Sequence, residues 1–475
     1  MSNRIDMNSI LPTQPIFGVI TDTEMLLIEE VSGKRVLRSL LLPLEVNGWS
    51  GLLDFLWQTG LSAVWVMPTT ALSRGITCSQ LEEQAGGRWS MVVHSDPAEP
   101  AKPTCVLYWP KESSQHEARR LAVSFPEYAG WGWRLADMKS LLATVTYLDQ
   151  AVGRHVLDAP NLVAHQVLAD LTRDQPISQM RSSTVNLHRL PGLEGCSIPM
   201  GVQAPGLVWK RSLTLVEQRQ KYLHKYTHFS HYLEACLNVQ LGVGDPQVAA
   251  SGRLYDGVRP GIWRVNGELA GSIFDGKLLP SCLNEEWMST PQINCCRDIG
   301  YRMQVQEGSC WREAYAPLTR WATSLWQSAE RLHTHLQHYR HAEGRANALH
   351  TLKLLAQFGV AVIGREQAAG GWGRPDWWAQ IAGRARALQF ADLVRLARRG
   401  TMPALLAGDA LWVVSDEPHP QKAVPDLLAA RHWKGYAIGY EVPLPLSSHV
   451  REAFRSMEHA DQLAAALDSL AEEVS

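Results

Sequence analysis

The sequence predicts an α+β chain, with a mixed α/β unit first and then a longer part in which strands and long helices alternate. Three observations carry that expectation. The first 70 residues read ββ(β)αβ, a Gly/Pro-rich stretch over 191–206 interrupts the pattern, and 311–342 is helical in spacing with very few breakers. At 475 residues the chain has room for two or three domains and a sizeable core.

The elements follow in order. Ile16–Ile20 and Met25–Ile28 are short apolar runs parted by a polar turn, and Lys34–Leu42 repeats the pattern. Trp49–Thr59 has helical spacing and Leu61–Pro68 reads as the buried strand after it. Residues 87–130 are rich in Pro, Gly and Ser around one further strand, Cys105–Trp109. Amphipathic helices are expected over Leu135–Gly153 and Asn161–Leu171. Beyond the 191–206 boundary, 213–222 reads as helical, and Lys225–Cys236 and Gly261–Ile273 as extended. Residues 311–342 and 345–358 are expected to form an antiparallel helical hairpin turning at His341–Gly344. Trp377–Arg399 is a further helix, Leu405–Val414 a strand, and 448–472 an amphipathic terminal helix. No repeat of solenoid length is visible.

Composition narrows the function. Hydrophobic residues at 45% and charged residues at 19% exclude a disordered or fibrous chain. With 45 basic against 47 acidic residues, the global charge of −2 gives no reason to expect a nucleic-acid or membrane partner. The eight cysteines are scattered without a CxxC, which fits reduced thiols and a cytoplasmic location better than a zinc cluster or a disulfide scaffold. The first 15 residues lack a signal-peptide pattern, and Leu40–Leu44 falls well short of the roughly 20 apolar residues that span a bilayer. No membrane partner is expected.

Local charge differs. Residues 311–400 hold 12 Arg and one Lys against six Asp or Glu, a net +7 that leaves −9 for the remainder. Trp311, Trp321, Trp326, Trp372, Trp377 and Trp378 lie in the same region. Together they suit phosphate contact and base stacking. An Arg-rich solvated helix face over core tryptophans is the plainer alternative.

Three segments bear on that choice: Tyr226-Thr227-His228-Phe229-Ser230-His231-Tyr232-Leu233, Lys353-Leu354-Leu355-Ala356-Gln357-Phe358-Gly359, and Gly408-Asp409-Ala410-Leu411-Trp412-Val413-Val414. In that order and at those separations they resemble three motifs of family-B DNA polymerases, particularly the protein-primed branch. In the family the first motif is an Asp followed three positions later by Ser and five later by Tyr. Ser230 and Tyr232 match, whereas Thr227 stands where the metal-binding Asp belongs. Lys353 and Phe358-Gly359 resemble the second motif, whose Lys holds the incoming triphosphate. Asp409 matches the first Asp of the strand-borne Asp-x-Asp motif; Leu411 does not match the second. The resemblance covers roughly 215–440.

The resemblance implies a polymerase-like palm over 207–310 and 366–445, helical fingers over 311–365 and a reduced, thumb-like segment over 446–475. It makes Arg340, Arg345 and Lys353 the phosphate-contacting candidates, places Tyr232 beneath the nucleotide position, and leaves Asp409 as the remnant of the catalytic set. Two-metal phosphoryl transfer needs carboxylates to hold Mg²⁺, and neither Thr227 nor Leu411 supplies one. Glu234, expected to share a strand face with Tyr232, and Asp416 are the alternative ligands. The expected partner is DNA or another nucleic acid, bound without extension, with Mg²⁺ a cofactor only if the site is active. A working polymerase with substituted ligands, or a Trp-rich scaffold for protein partners, are the alternatives. Resemblance alone connects such chains with mobile elements or defence systems.

Residues 1–200 are identified by the same resemblance as an RNase H-like α/β domain of the proofreading type. Asp22-Thr23-Glu24 has the Asp-x-Glu form that opens an exonuclease metal site, but a polar hairpin turn is the plainer reading of it. The strand Val64–Met67 runs into Pro68-Thr69-Thr70 with no second Asp, and Asp137 and Asp149 read as solvated helix charges. His333, His335, His338 and His341 crowd one segment, with His338 and His341 expected on one helix face; a surface cluster is the expectation there. Leu241-Gly242-Val243-Gly244-Asp245-Pro246 reads as a tight turn, and Gly370–Pro375 as a loop hinge.

Overall fold

The computed structural model describes residues 15–31, 34–42, 48–68, 77–85, 89–96, 99–111, 120–126, 131–153, 156, 158–173, 190–193, 208–268, 287–298, 300–336, 338–364, 373–428, 436–440 and 442–474. Most of the expected boundary at 191–206, the tail of the segment expected to reach Ile273, Thr69-Thr70, and Gly370–Trp372 lie outside them. The chain divides into two compact units, Met1–Leu168 with Gln327–Phe358, and Ala169–Trp326 with Gly359–Ser475.

The first unit is built on β1 (Pro15–Ile20), β2 (Glu24–Val31), β3 (Lys34–Leu41), α1 (Gly48–Gln58), β4 (Ala63–Val66), α2 (Cys78–Ala85), β5 (Trp89–Asp96), β6 (Glu99–Pro110), β7 (Leu121–Ser124), α3 (Met138–Val152) and the start of α4 (Pro160–Leu171). Its seven strands run in the order β3-β2-β1-β4-β7-β6-β5. The first three are antiparallel, β1, β4 and β7 are parallel, and β6 and β5 return antiparallel. Strand β4 is buried at every position, because a central parallel strand is covered on both faces. Alternation divides the side chains between two cores. Val64 and Val66 join Trp49, Leu52 and Leu56 of α1, while Ala63 and Trp65 join Leu141, Leu142 and Val145 of α3. Asp137 accepts the Ser140 N–H at 2.7 Å as the N-cap of α3, and Gly153 closes the helix at φ +73°. Asp137 is therefore an exposed cap, whereas Asp149 is buried and is not the solvated helix charge expected.

The second unit begins with β8 (Val208–Lys210), β9 (Tyr222–His228) and α5 (His231–Asn238). Then come β10 (Leu241–Val243), β11 (Gln247–Ala249), β12 (Gly261–Glu268), β13 (Trp287–Ser289), α6 (Thr290–Asp298), β14 (Arg302–Cys310) and β15 (Glu313–Tyr315). Helices α7 (Thr319–Thr334) and α8 (Ala342–Gly364) cross the division between the units. The second unit continues with α9 (Pro375–Arg398), β16 (Leu405–Ala407), β17 (Ala410–Ser415), α10 (Pro420–Ala423), α11 (Pro425–Leu428), β18 (Tyr436–Ile438), β19 (Leu444–Pro445), α12 (Ser448–Ser456) and α13 (Ala460–Val474).

Its main sheet is antiparallel in the order β18-β9-β17-β16-β8, with β19 also on β9; a smaller sheet runs β11-β14-β12-β13. Both faces of the main sheet are covered. Leu411 and Val413 pack with Phe390, Leu393 and Val394 of α9, while Trp412 and Val414 pack with Val450 and Phe454 of α12 and Leu463 and Leu467 of α13. Lys225 of β9 reinforces the second contact, 2.7 Å from Asp468 of α13 and 5.1 Å above the Trp412 ring.

Several expected elements change character. The segment from Lys225 leaves the sheet at His228, and Ser230 caps α5 by accepting the Leu233 N–H at 3.3 Å. Tyr232 and Glu234 thus sit two residues apart on a helix, on different faces, rather than sharing a strand face. Residues 213–222 form no α-helix, holding a 3-10 turn at Glu217–Arg219 and the first residue of β9. Residues 311–318 carry β15 instead of helix. Helix α7 ends at Thr334 and α8 starts at Ala342, so the turn lies before His341, and His338 and His341 share no helix face. Residues 405–414 form a hairpin, not one strand, and 448–472 divides into two helices.

Helix α8 is long and apolar enough by composition to cross a membrane, and most of it is buried as in a core helix. Among the described residues, Cys78, Cys105, Cys236, Cys295, Cys296 and Cys310 are thiols outside any disulfide.

Candidate active-site corner

The first and third motif segments meet on the main sheet. Strand β17 pairs with β9 so that Ala410 faces Thr227 and Leu411 faces Tyr226. Asp409 occupies the turn of the β16–β17 hairpin, not a strand, beside Gly408 at φ +58°. A residue in that left-handed region favours glycine, which accounts for the Gly-Asp pair at the turn.

Three hydrogen bonds fasten Asp409. Its carbonyl accepts the His228 N–H at 2.8 Å, and its Oδ1 accepts from the His231 backbone N–H at 3.2 Å and lies 2.9 Å from His231 Nδ1. His231 is fully buried and Asp409 is 5% exposed. The second ring nitrogen of His231, Nε2, stands 3.7 Å from Oδ2 of Asp392 on α9. Burial alone would lower the pKa of this imidazole, but the Asp392 and Asp409 carboxylates on its two sides outweigh burial and push it up to about 9. The His228 ring stacks on His231 with centroids 3.9 Å apart, and its Nε2 lies 3.4 Å from Oε2 of Glu234. Gln389 of α9 completes the corner, its Nε2 donating to the Gly408 carbonyl at 2.6 Å.

Where the resemblance calls for acids, this corner holds imidazoles. Thr227 is flanked by Ala410 and Ala437 on neighbouring strands. Leu411 is apolar because its side chain belongs to the core beneath α9. Glu234 is engaged with His228. Asp416 follows the far end of β17, roughly 20 Å along the strand from Asp409 at about 3.3 Å per residue. Neither substitute acid therefore builds a carboxylate pair with Asp409. One donor atom from each of His228, His231 and Asp409 lies within 4.8 Å of the other two. Mg²⁺ demands several hard oxygens, and one carboxylate among imidazoles does not fit it.

Tyr232 is buried on α5 near Arg386 and Asp409, and burial raises its phenol pKa. Tyr232 and Asp409 thus fall together in the second unit. Arg340, Arg345 and Lys353 belong to the first. Arg340 is exposed in the α7–α8 connection, Arg345 donates to the Tyr339 carbonyl at 3.2 Å, and Lys353 is half-buried on α8. The tryptophans of the basic region are structural: Trp311, Trp321, Trp326 and Trp377 are buried, Trp378 is half-buried, and Trp372 lies outside the described residues. Base stacking on those four buried rings is not available. In the first unit Asp22, Thr23 and Glu24 are exposed in a β-turn in which Thr21 Oγ1 accepts the Glu24 N–H at 3.0 Å, the polar-turn reading.

The sequence reading passed over His228, His231, Gln389 and Asp392. The first two carried a visible signal, an imidazole pair three residues apart beside the first motif. Gln389 and Asp392 carried none, since they reach the corner only through the packing of α9.

No protein-family model and no curated protein matches the sequence. Among solved structures, the chain is similar to phi29 DNA polymerase complexed with primer-template DNA (10% identity, TM-score 0.48, 87% of this chain and 80% of that one). It is similar to the same polymerase complexed with single-stranded DNA (10%, 0.47, 87% and 80%). It is also similar to the family-B DNA polymerase of the hyperthermophilic archaeon Pyrobaculum calidifontis (11%, 0.39, 90% and 55%). The likeness is to family-B DNA polymerases. At these identities and scores it is one of chain trace, and no residue role follows from it.

Proposed function

We propose that this chain binds nucleic acid on a polymerase-like palm and does not extend it. One observation carries the reading: Asp409, the acid left among the three motif segments, is buried and hydrogen-bonded to His231, while the other positions hold Thr227 and Leu411. Two-metal transfer depends on paired carboxylates that hold both cations and neutralise developing charge. A carboxylate already facing an imidazole, with the nearby acids Asp392 and Glu234 likewise set against imidazoles, is a poor seat for that chemistry. Mg²⁺ enters as a cofactor only if extension is found.

In this reading 207–310 and 366–445 form the palm, 311–365 the fingers and 446–475 a reduced thumb. The mixed sheet of the first unit, antiparallel at β1–β3 and parallel through β4 and β7, supports an RNase H-like domain there. Arg340, Arg345 and Lys353 contact phosphates, and Tyr232 packs beneath the nucleotide position. A cytoplasmic role in a mobile element or a defence system, with protein partners and no membrane, belongs to the same proposal.

Primer extension tests it. The purified chain, given primer-template, nucleotides and either Mg²⁺ or Mn²⁺, is expected to retain the DNA in a gel-shift lane and incorporate nothing. Incorporation that disappears in Asp409→Asn would overturn it and restore a polymerase with substituted ligands.

A further inference from the structure

The donor set at Asp409 is unsuited to Mg²⁺, and its chemistry points to a different cation. Zinc-class ions take imidazole nitrogen and carboxylate oxygen at about 2.0–2.2 Å in tetrahedral sites. His228, at the end of β9, His231, in the first turn of α5, and Asp409, in the β16–β17 turn, each offer a donor atom within 4.8 Å of the other two. The 2.9 Å between His231 Nδ1 and Asp409 Oδ1 is near the edge of such a tetrahedron, about 3.3 Å for bonds of about 2.0 Å.

The surroundings point the same way. An imidazole that ligates a metal through one nitrogen nearly always has the other against a carboxylate, carbonyl or water, which fixes the ring and strengthens the donor. Both rings have such a carboxylate: Glu234 Oε2 is 3.4 Å from His228 Nε2, and Asp392 Oδ2 is 3.7 Å from His231 Nε2. All three ligand side chains are buried, so no swarm of surface waters competes for the donors. Three separate segments of the chain converge here, and one ion would clip them together.

We propose that His228, His231 and Asp409 bind one zinc-class divalent ion, with Glu234 and Asp392 as the outer carboxylates that orient the two imidazoles. The site lies in the corner that presents Asp409 and deepens the palm reading, since a single borderline ion there replaces a pair of hard ones. It can hold whether or not nucleic acid binds.

Full-length chain, stripped with chelator and dialysed against Zn²⁺ without nucleic acid, is expected to retain one equivalent that a large excess of Mg²⁺ does not displace. Asp392→Asn and Glu234→Gln should each weaken retention about 10–100-fold. The double variant H228Q/H231Q should abolish it, and the surface control H335A/H338A should leave it unchanged. Should H228Q/H231Q fail to fold by circular dichroism, Co²⁺ added to the wild type decides: ligand-field bands that shift in Asp392→Asn support the site. Four results would overturn it: no retention by the wild type, full retention in a folded H228Q/H231Q, loss in H335A/H338A, or Co²⁺ bands indifferent to Asp392→Asn. Nucleic-acid affinity, measured separately, reports on the palm reading and not on this one.

Discussion

Gln389, in the middle of α9, donates its side-chain amide to the carbonyl of Gly408 at 2.6 Å, tying a helix to the hairpin turn that presents Asp409. The link spans 19 residues of sequence and is partly buried. Breaking it leaves a turn carbonyl short of a donor, which costs about 1–3 kcal/mol. Gln389→Met is therefore expected to lower unfolding free energy by that amount in a urea titration. Gly408→Ala should cost about 1 kcal/mol for the left-handed backbone, and Gly408→Asn less.

The ion pair of Arg374 with Asp376 is a second local prediction. Both side chains are at most 2% exposed and pair in bidentate fashion at 2.8 and 2.7 Å, with the guanidinium 4.4 Å from the Trp377 ring. Removing either partner strands a buried charge. Arg374→Met or Asp376→Asn alone should destabilise by about 3–5 kcal/mol, and the double variant by much less than the sum. Additive losses in chemical denaturation would show that the two act independently.

Gly242 supplies the carbonyl that both Arg374 Nη2 and Trp377 Nε1 reach, and the buried Trp311 ring closes over it. A Cβ at Gly242 would meet Trp311 Cγ at 2.2 Å. Since Trp311 is itself fully buried, Gly242→Ala is expected to cost about the 1–3 kcal/mol typical of overpacking. Thermal unfolding of the variant measures it; an unchanged midpoint would show that the ring can move.

In the first unit, His94 hydrogen-bonds the buried carboxylate of Asp158, which also accepts from Thr104 Oγ1 at 2.6 Å. The bond raises the His94 pKa above 6.5, with burial opposing and the Asp158 charge assisting. A folded-state value above the unfolded one means the pair stabilises fully below about pH 6.5, and that this contribution is lost as pH rises through the folded value. The wild type should therefore lose thermal stability over that rise relative to His94→Gln. Parallel profiles for the two proteins would remove the pair from the account.

Much of the fold was legible because it follows from short-range pattern. The strands β1 to β4 and helix α1 announce themselves through alternating and 3.6-residue periods, and α9 through its helical spacing. The reading failed where one residue changed the local geometry. Ser230 reads as an ordinary strand residue until its cap bond starts α5, and that turn moves Glu234 off the face of Tyr232. Gly408-Asp409 makes a hairpin of what periodicity offers as one strand. The Trp-rich basic region was misleading because tryptophan count carries no direction: Trp311, Trp321, Trp326 and Trp377 all point inward. Of the candidate site, Asp409 and Tyr232 were found and their imidazole neighbours were not. Two histidines three residues apart are a weak signal until a turn 178 positions away places a carboxylate against them.

The most direct test of the central claim is the salt dependence of binding to single-stranded and primer-template DNA, for the wild type and the variant R340A/R345A/K353A. Each phosphate contact contributes about 0.7–0.9 to the slope of log affinity against log salt. Binding at low salt with a steep negative slope, made shallower by about 2 in the triple variant, is the predicted result. Absence of binding at low salt, or binding with no salt slope, would contradict the account.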